Sequence, residues 1–537
     1  MDLFKLLGKS QLVSSADKAS RQASRDIDDP ASGPVTITEN KVDWLREQLG
    51  DSPDIIFRSL GDTLNADHCL TVVYIDGLVD QQLLTMMLDA LAADSTSPCT
   101  VASHLENLLM SRLPVGSLKR IDNDDKLLQS VLDGQVVVLP AGHSDALVVS
   151  IMGGVRRSVE EPSSQTVIRG PKEGFVEELA TNIALLRRKI RSPQFRYEPM
   201  VLGKYTQTKV AVCYLEGIAD PVVVSEVTKR LASINTDSIL ESGYIEEFIQ
   251  DGVYTPFPTI LNSERPDAVA GGILEGLVAI LVDGTPFVLL APVSFFRFFI
   301  SSEDYYQRFD ISTFLRLVRI SSFAVALLLP SIFIAITTFH QEMLPTTLLV
   351  SLAAQRESTP LPALLEALLM ELTFEVIREA GVRMPRAIGP AISIVGALVL
   401  GQAAVQAGLV SAAMVIVVSF TAISNFVLPA INMASAVRLM RFVLMLLAGT
   451  LGLYGILAGL VPTLVHLISL RTFGVPYFLP IAPFMPSNMK DLLVRMPWWK
   501  MQTRPAMIAG DNQTRQGPVL KPGSQRIHGD RNEDSAQ

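Results

Sequence analysis

Two rhythms of apolar and polar positions divide the chain. Up to about residue 296, short β-branched apolar runs alternate with amphipathic stretches, the pattern of buried strands packed by helices. Beyond that point the apolar runs lengthen and charges withdraw to their ends. Ile320–Phe339 is 20 residues without an ionisable group, about 30 Å as a helix, the thickness of a bilayer core. Between Arg386 and Arg438 lie 51 uncharged residues. As one helix they would run about 77 Å, so they must turn back, with spans expected at about 389–407 and 411–430. A further 29 residues between Arg441 and Arg471 hold His466 as their one titratable group. Residues 472–489 are uncharged but contain Pro476, Pro480, Pro483 and Pro486, which deny a straight helix and favour a re-entrant or interfacial segment.

Residues 361–380 are apolar but interrupted by Glu366, Glu371, Glu375 and Glu379, the last three at i, i+4 spacing. An acid facing lipid at mid-bilayer costs about 3 kcal/mol. The helix therefore either lies at the interface with a solvated acidic face, or turns Glu371, Glu375 and Glu379 into the vestibule of a cation path. Lys/Arg clusters before and after the apolar blocks fall on one side if 361–380 crosses or re-enters, which favours a cytoplasmic N-terminus. Small residues recur at packing distance in Ala397 and Gly401, Ala404 and Gly408, and Gly455 and Gly459. Packing explains them; a pore lining also wants small residues, together with the isolated amides Gln402 and Gln406. The lining candidates on that span are Gly396, Val399, Gln402 and Gln406.

The front half repeats itself. Tyr74-Ile75-Asp76-Gly77-Leu78-Val79-Asp80 matches Tyr214-Leu215-Glu216-Gly217-Ile218-Ala219-Asp220, and Leu132-Asp133-Gly134 matches Leu274-Glu275-Gly276. In each unit a strand leads to an acidic-Gly turn, and Asp80 or Asp220 caps the next helix. Each unit closes on two apolar runs that read as a hairpin, 135–139 with 146–151 and 277–281 with 286–290, the second turning at Asp283-Gly284. Between the units, Phe175, Leu179, Ile183, Leu186 and Ile190 make one apolar face of a helix expected over 172–190, with Pro171 at its start. Its acids sit early and Arg187, Arg188, Lys189 and Arg191 sit late, matching the helix dipole. The helix reads as a linker packed between the units, or as a coupling or interface element.

Composition sharpens this division. The chain of 537 residues is 49% hydrophobic and 18% charged, and its formal net charge is −9. Residues 1–296 carry −14 and residues 297–537 carry +5. An acidic front half argues against nucleic acid as a partner. Cys69, Cys99 and Cys213 form no disulfide framework and suit a reducing compartment. His68, His104, His143, His340, His466 and His528 form no metal-ligand spacing, and no phosphate-binding or nucleophile motif is present. No enzyme, cofactor or metal centre is expected.

The segment Glu161-Pro162, Arg169-Gly170-Pro171-Lys172-Glu173-Gly174-Phe175, Asn182 and Arg187-Arg188 resembles the A subunits of GerA-type germinant receptors of endospore-forming bacteria. Three further stretches extend the resemblance: Glu303-Asp304-Tyr305-Tyr306 with Arg308, Arg378-Glu379-Ala380-Gly381-Val382-Arg383, and Ile394 through Gln406. It covers roughly residues 155–490. Gln165 and Lys172 depart from it, standing where an acidic residue and an arginine are usual. The resemblance implies a multi-pass protein of the spore inner membrane with a cytoplasmic N-terminal domain. It also implies a transporter-like B subunit and a lipoprotein C subunit as partners, and a homo-oligomer, a pentamer, forming a nutrient-gated cation channel. Glu161, Pro162, Arg169, Gly170, Pro171, Arg187 and Arg188 are then candidates for coupling or interface roles. The alternatives are the stage V sporulation homologue of the same A-subunit fold, which amplifies germination, and a membrane carrier.

The expected architecture is an α/β duplicated cytoplasmic domain followed by an all-α multi-pass transmembrane domain. Its parts are a disordered tail over 1–44, α/β subdomains over 45–155 and 200–296 with a linker and signature helix at 156–199 between them, a membrane domain over 297–500 in contact with lipid, and a disordered tail over 501–537.

Overall fold

The computed structural model describes residues 37–510 and 512–517, apart from 51, 61–69, 94–105, 107, 112–116, 141–144, 154–161, 163–164, 166–168, 358 and 385–398. In the first unit, α1 (Ile37–Leu49), β1 (Ile55–Leu60), β2 (Leu70–Ile75), α2 (Gln81–Ala93), β3 (Leu118–Ile121), α3 (Asp124–Leu132), β4 (Val136–Pro140) and β5 (Ala146–Val149) follow in turn. Their five strands form an antiparallel sheet in the order β1-β2-β4-β5-β3. After α4 (Leu179–Lys189) comes the second unit: β6 (Phe195–Leu202), β7 (Thr208–Leu215), α5 (Pro221–Ala232), α6 (Ser242–Ile249), β8 (Leu261–Ser263), α7 (Pro266–Glu275), β9 (Val278–Val282) and β10 (Val288–Ala291). Its order β6-β7-β9-β10-β8 repeats the first sheet strand for strand. The expected hairpins are β4–β5 and β9–β10. Asp80 accepts from the backbone N–H of Gln82 at 2.9 Å and Asp220 from that of Val222 at 2.9 Å, so both repeat acids cap their helices.

The central strands are apolar on both sides because both faces of each sheet are covered. In the first unit Val72, Tyr74, Val136 and Val138 face α2, while Val73, Ile75, Val137 and Leu139 face α1 and α3. Ala184 of α4 joins the second of these clusters, and Leu185 and Leu186 of the same helix, with Ile190 just after it, join the core of the second unit. The helix therefore belongs to both units at once. It begins at Leu179, seven residues later than its apolar periodicity predicts. Upstream, the Phe175 N–H donates to the Glu264 carbonyl at 2.8 Å, and the Asn182 amide makes two bonds with the Val176 backbone, so helical bonding is pre-empted. The turn Asp283-Gly284 supplies the missing cap, Asp283 accepting from the Leu179 N–H at 3.0 Å.

The C-terminal part is helical: α8 (Phe309–Thr338), α9 (Thr346–Glu357), α10 (Ala363–Arg383), helical residues 399–406, α11 (Ala412–Phe426) and α12 (Ile431–Ser469). α8 and α12 are long and apolar enough to cross a bilayer, and α11 is apolar but shorter. The expected helix between Arg441 and Arg471 is not one rod. Gly452 has φ 64°, and a Cβ placed on Gly459 would lie 2.6 Å from the side chain of Leu444, so α12 folds back on itself. Its two arms are about 31 and 26 Å long. Both outer ends reach the second α/β unit: Asn432 meets Glu246 at 3.5 Å, and His466 meets Thr255 at 2.8 Å. The Gly452 bend instead packs on Phe339 and His340 at the far end of α8. Close approach at Gly455 and Gly459 thus serves packing between the arms.

Residues 472–489, expected as a re-entrant or interfacial segment, begin on the surface of the second unit. β11 (Arg471–Thr472) and β12 (Val475–Pro476) make a small hairpin on the second unit. Thr472 donates to the Thr259 carbonyl at 3.0 Å and Tyr477 to that of Pro258 at 2.7 Å, and Tyr477 and Leu479 enter the core. The proline-rich stretch starts as a strap on protein, with the Thr472 and Tyr477 hydroxyls and the Phe473 N–H bonded to the α/β unit. The expectation of a disordered tail from 501 is likewise corrected up to the last described residues: Ile508 is buried in the same core, and Ala509 pairs with Ala219. Residues 1–36 and 518–537, which include most of the expected terminal tails, lie outside the described residues.

Candidate functional site

The signature segment builds the first of three linked sites. Arg187 is 1% exposed and reaches across to the first unit. Its Nε and Nη2 donate to Asp54 at 2.6 and 2.9 Å, Nη2 also donates to Ser52 at 2.9 Å, and the guanidinium lies 4.6 Å over the Phe195 ring. Arg188 beside it is half-buried. Lys189 pairs with Glu173 at 3.0 Å, closing the segment on itself. Pro162 is buried, Arg169 and Gly170 are exposed, Pro171 is half-buried, and Glu161 lies outside the described residues. Arg187 is thus the member of the set that joins the two α/β units.

The second site is a ledge where the α/β module meets the helices. Asp304 is fully buried and accepts from Arg316 Nε at 3.0 Å and from Arg319 Nη1 at 2.8 Å. Arg316 also donates to Asp491 of the C-terminal strap at 2.7 Å, and the Tyr305 hydroxyl donates to the same carboxylate at 2.5 Å. Burial, reinforced by Asp491, pushes the Tyr305 hydroxyl well above its ordinary range, so it stays a donor. Tyr306 donates to Asp267 at 2.7 Å. Burial alone would raise Asp267, but hydrogen bonds from Arg265 and Tyr306 hold it below the usual carboxylate value. Sequence reasoning placed Glu303-Asp304-Tyr305-Tyr306 in a motif and used Arg316 and Arg319 only to orient spans. It missed Asp491, 175 residues from Arg316. A lone acid within the C-terminal Lys/Arg cluster was the available signal.

Nearby, Glu246 of α6 faces the first turn of α12. Burial and the neighbouring Glu241 raise it to about 7, against a hydrogen bond from Asn432 that lowers it.

The third site lies among the helices. The acidic stripe does not form a free vestibule in the single chain, which corrects that expectation. Glu371 pairs with Arg441 at 2.9 Å, both almost fully buried. Glu375 pairs with Arg438 at 2.8 Å and Arg378 at 3.3 Å, and exposed Glu379 pairs with Arg383 at 2.7 Å. An acid in an apolar helix interface needs a counter-charge, and the arginines of α12 supply it. Glu366, also buried, accepts from the Ser411 hydroxyl at 2.6 Å and from its N–H.

On the expected lining span, Gly396 lies outside the described residues. Val399, Gln402 and Gln406 share one helix face by their i, i+3, i+7 spacing, and all three are exposed. Gly401 is buried on the other side, where an added Cβ would lie 3.5 Å from Val415 of α11. The span therefore packs through Gly401 and leaves Gln402 and Gln406 exposed. Among the described residues no group of three or more His, Cys, Asp or Glu is placed to hold a metal.

The family model described as Bacillus/Clostridium GerA spore germination protein matches residues 43–507. The chain is 48% identical to spore germination protein KA of Bacillus subtilis (strain 168) over 494 residues, 91% of this chain and 90% of that one. It is 37% identical to spore germination protein GerLA of Bacillus cereus over 88% of this chain and 95% of the relative. The crystal structure of the N-terminal domain of the A subunit of the Bacillus megaterium spore germinant receptor GerK3 aligns at 36% identity. It covers 50% of this chain and 99% of that structure, with a TM-score of 0.37.

Proposed function

The chain belongs to the GerA family of spore germination proteins, and on that premise we propose that it is the A-type subunit of a nutrient germinant receptor in the spore inner membrane. In this reading several copies, five by family analogy, assemble into a cation channel that nutrient opens to start germination. A transporter-like B subunit and a lipoprotein C subunit complete the receptor. The observation that carries the proposal is the uninterrupted family match across both the duplicated α/β module and the helices. The relatives' names as spore germination proteins favour it over the stage V homologue and the carrier.

The geometry supports a division of labour. α8 and the two arms of α12 run between the α/β module and the Gly452 bend, which supports a multi-pass reading with that module on the cytoplasmic side. Val399, Gln402 and Gln406 present an unpartnered face for the lumen of the oligomer, since amides are expensive to leave in lipid. The ledge of Asp304, Arg316 and Asp491 ties the first turns of α8 to the α/β module, so a shift of that module pulls on the helices. Arg187 makes the two α/β units move together. No step in this scheme requires catalytic chemistry.

Affinity purification of the tagged chain from spores tests the assignment. Recovery of transporter-like and lipoprotein subunits, with loss of a nutrient response on deletion, is expected. A chain that purifies alone, in spores whose nutrient responses survive its deletion, contradicts it.

A further inference from the structure

A cleft of about 840 Å³ opens between the second α/β unit, the first turns of α8 and the α11–α12 connection. Five arginines and three acids line it. Arg265 is neutralised by Asp267, which accepts two of its N–H groups at 3.0 and 2.7 Å. The other arginines are not balanced one for one. Glu275 is shared by two guanidiniums, Arg297 Nη1 at 2.7 Å and Arg515 Nη2 at 3.0 Å. Arg319 leans on Asp304, which Arg316 already engages. Among the described residues Arg504 donates to uncharged oxygens, including the Leu274 carbonyl and the Asn512 side chain, both at 3.0 Å. Guanidinium groups that share or lack carboxylates keep both charge and N–H donors for a further anion.

The other wall of the cleft is apolar and continues onto α11. Ile416, Phe420, Ile423 and Val427 recur at i, i+4, i+7, i+11 and are all exposed, and Val427 itself lines the cleft. The stripe rises about 16 Å, close to the half-thickness of a bilayer core of about 15 Å. A soluble anion would use the arginines and ignore the stripe. A phosphate attached to acyl chains uses both, and basic pockets beside membrane helices on the cytoplasmic side suit such headgroups. We infer that this cleft binds the phosphate headgroup of an anionic membrane lipid, with Arg504 and Arg515 as donors and the acyl chains laid along α11. Lipid held there wedges the α11–α12 connection against the α/β module, making the ledge sensitive to the lipid composition of the membrane.

The inference rests on the proposed placement of the helices in a bilayer, and its test is separate from that of the receptor assignment. The full chain, purified in neutral detergent, is titrated with phosphatidylglycerol, with phosphatidylcholine and with inorganic phosphate, and bound lipid is counted by native mass spectrometry. Saturable retention of phosphatidylglycerol over phosphatidylcholine is expected. Arg504→Gln and Arg515→Gln each weaken it about tenfold, the loss of one charge-assisted bond worth about 1.4 kcal/mol. Arg383→Gln, on an exposed pair at the end of α10, leaves it unchanged. The unfolding midpoint without lipid, measured for each variant, separates lost binding from lost fold. Equal retention by all variants, or displacement by inorganic phosphate at the concentration of the lipid, overturns the inference. So does an oligomer that covers the α11 stripe and forms equally well without lipid. Partner subunits that still co-purify in any of these cases leave the receptor assignment standing.

Discussion

Replacing Arg187 with methionine removes a guanidinium that is 1% exposed and leaves Asp54, itself 6% exposed, without its counter-charge. Three charge-assisted bonds and the stacking on Phe195 go with it. Breaking one side of a buried pair costs about 3–5 kcal/mol, mostly the penalty of an uncompensated buried charge. That is a large part of a typical domain stability of about 5–15 kcal/mol. Replacing both partners, as in Asp54→Leu with Arg187→Met, removes the penalty and is expected to recover most of the loss. Arg187 Nη1 already lacks a protein acceptor in the native pair, so the native site is not ideally satisfied either. The assay is a double-mutant cycle on the purified full chain, with urea-dependent proteolysis of the α/β units as the readout. A coupling energy of about 2 kcal/mol or more is expected, and Arg187→Lys falls short of wild type because an ammonium cannot make the bidentate contact. A cost under about 1 kcal/mol for Arg187→Met, or additive losses in the double variant, refutes the idea that this pair joins the units.

Three further outcomes follow from the same geometry. Glu246 sits at about 7 in the folded chain, above the ordinary glutamate value of about 4.3. The folded state therefore keeps a proton the unfolded chain has released between those values, so stability is greatest at the acidic end, falls as pH rises through about 7 and then levels. Glu246→Gln should flatten that fall in the unfolding midpoint; an unchanged pH profile would dismiss the role of burial there. Glu371→Ala should lower accumulation by leaving buried Arg441 only the longer contact to Glu375 at 3.6 Å, while Glu371→Leu with Arg441→Leu restores it; immunoblots of spore membranes decide, and a well-accumulating Glu371→Ala counts against a buried pair. A cysteine in place of Tyr205, 85% exposed on the second unit, should resist an impermeant thiol reagent in intact protoplasts once the native cysteines are removed; ready labelling would reverse the orientation.

Much of the fold is legible in local signals. The two copies of the Tyr-x-acid-Gly turn mark the ends of β2 and β7, and their Asp80 and Asp220 cap the helices expected of them. What repetition could not supply is the sheet order, because β2 pairs with β4, β3 with β5, β7 with β9 and β8 with β10 across intervening elements. The start of α4 was misplaced for a similar reason. Pro171 is a fair local start, yet tertiary partners at Glu264 and Asp283 take up the backbone first. Charge-free length reveals apolar helices but not their bends, so the reversal at Gly452 was hidden in a run that reads as one helix. The prolines of 472–489 correctly deny a helix. Whether such a segment lies in lipid or on protein depends on partners such as Thr259 and Pro258, more than two hundred residues away. The glutamates of α10 and the arginines of α12 were both visible, and their pairing was not. A sequence shows the cost of burying each charge but does not show which charges meet.

In the proposed receptor the exposed face of the 399–406 helix lines a nutrient-gated cation path. The most direct measurement is the time course of monovalent cation release from spores after nutrient addition, for lysine and tryptophan substitutions placed singly from Val399 to Gln406. Only variants that accumulate to the wild-type level are compared. Substitutions at Val399, Gln402 and Gln406 are expected to block release or cause leakage without nutrient, while the exposed neighbour off that face, Leu400, releases normally when substituted. Normal, nutrient-dependent release from spores carrying lysine at Gln402 and at Gln406 would contradict the account.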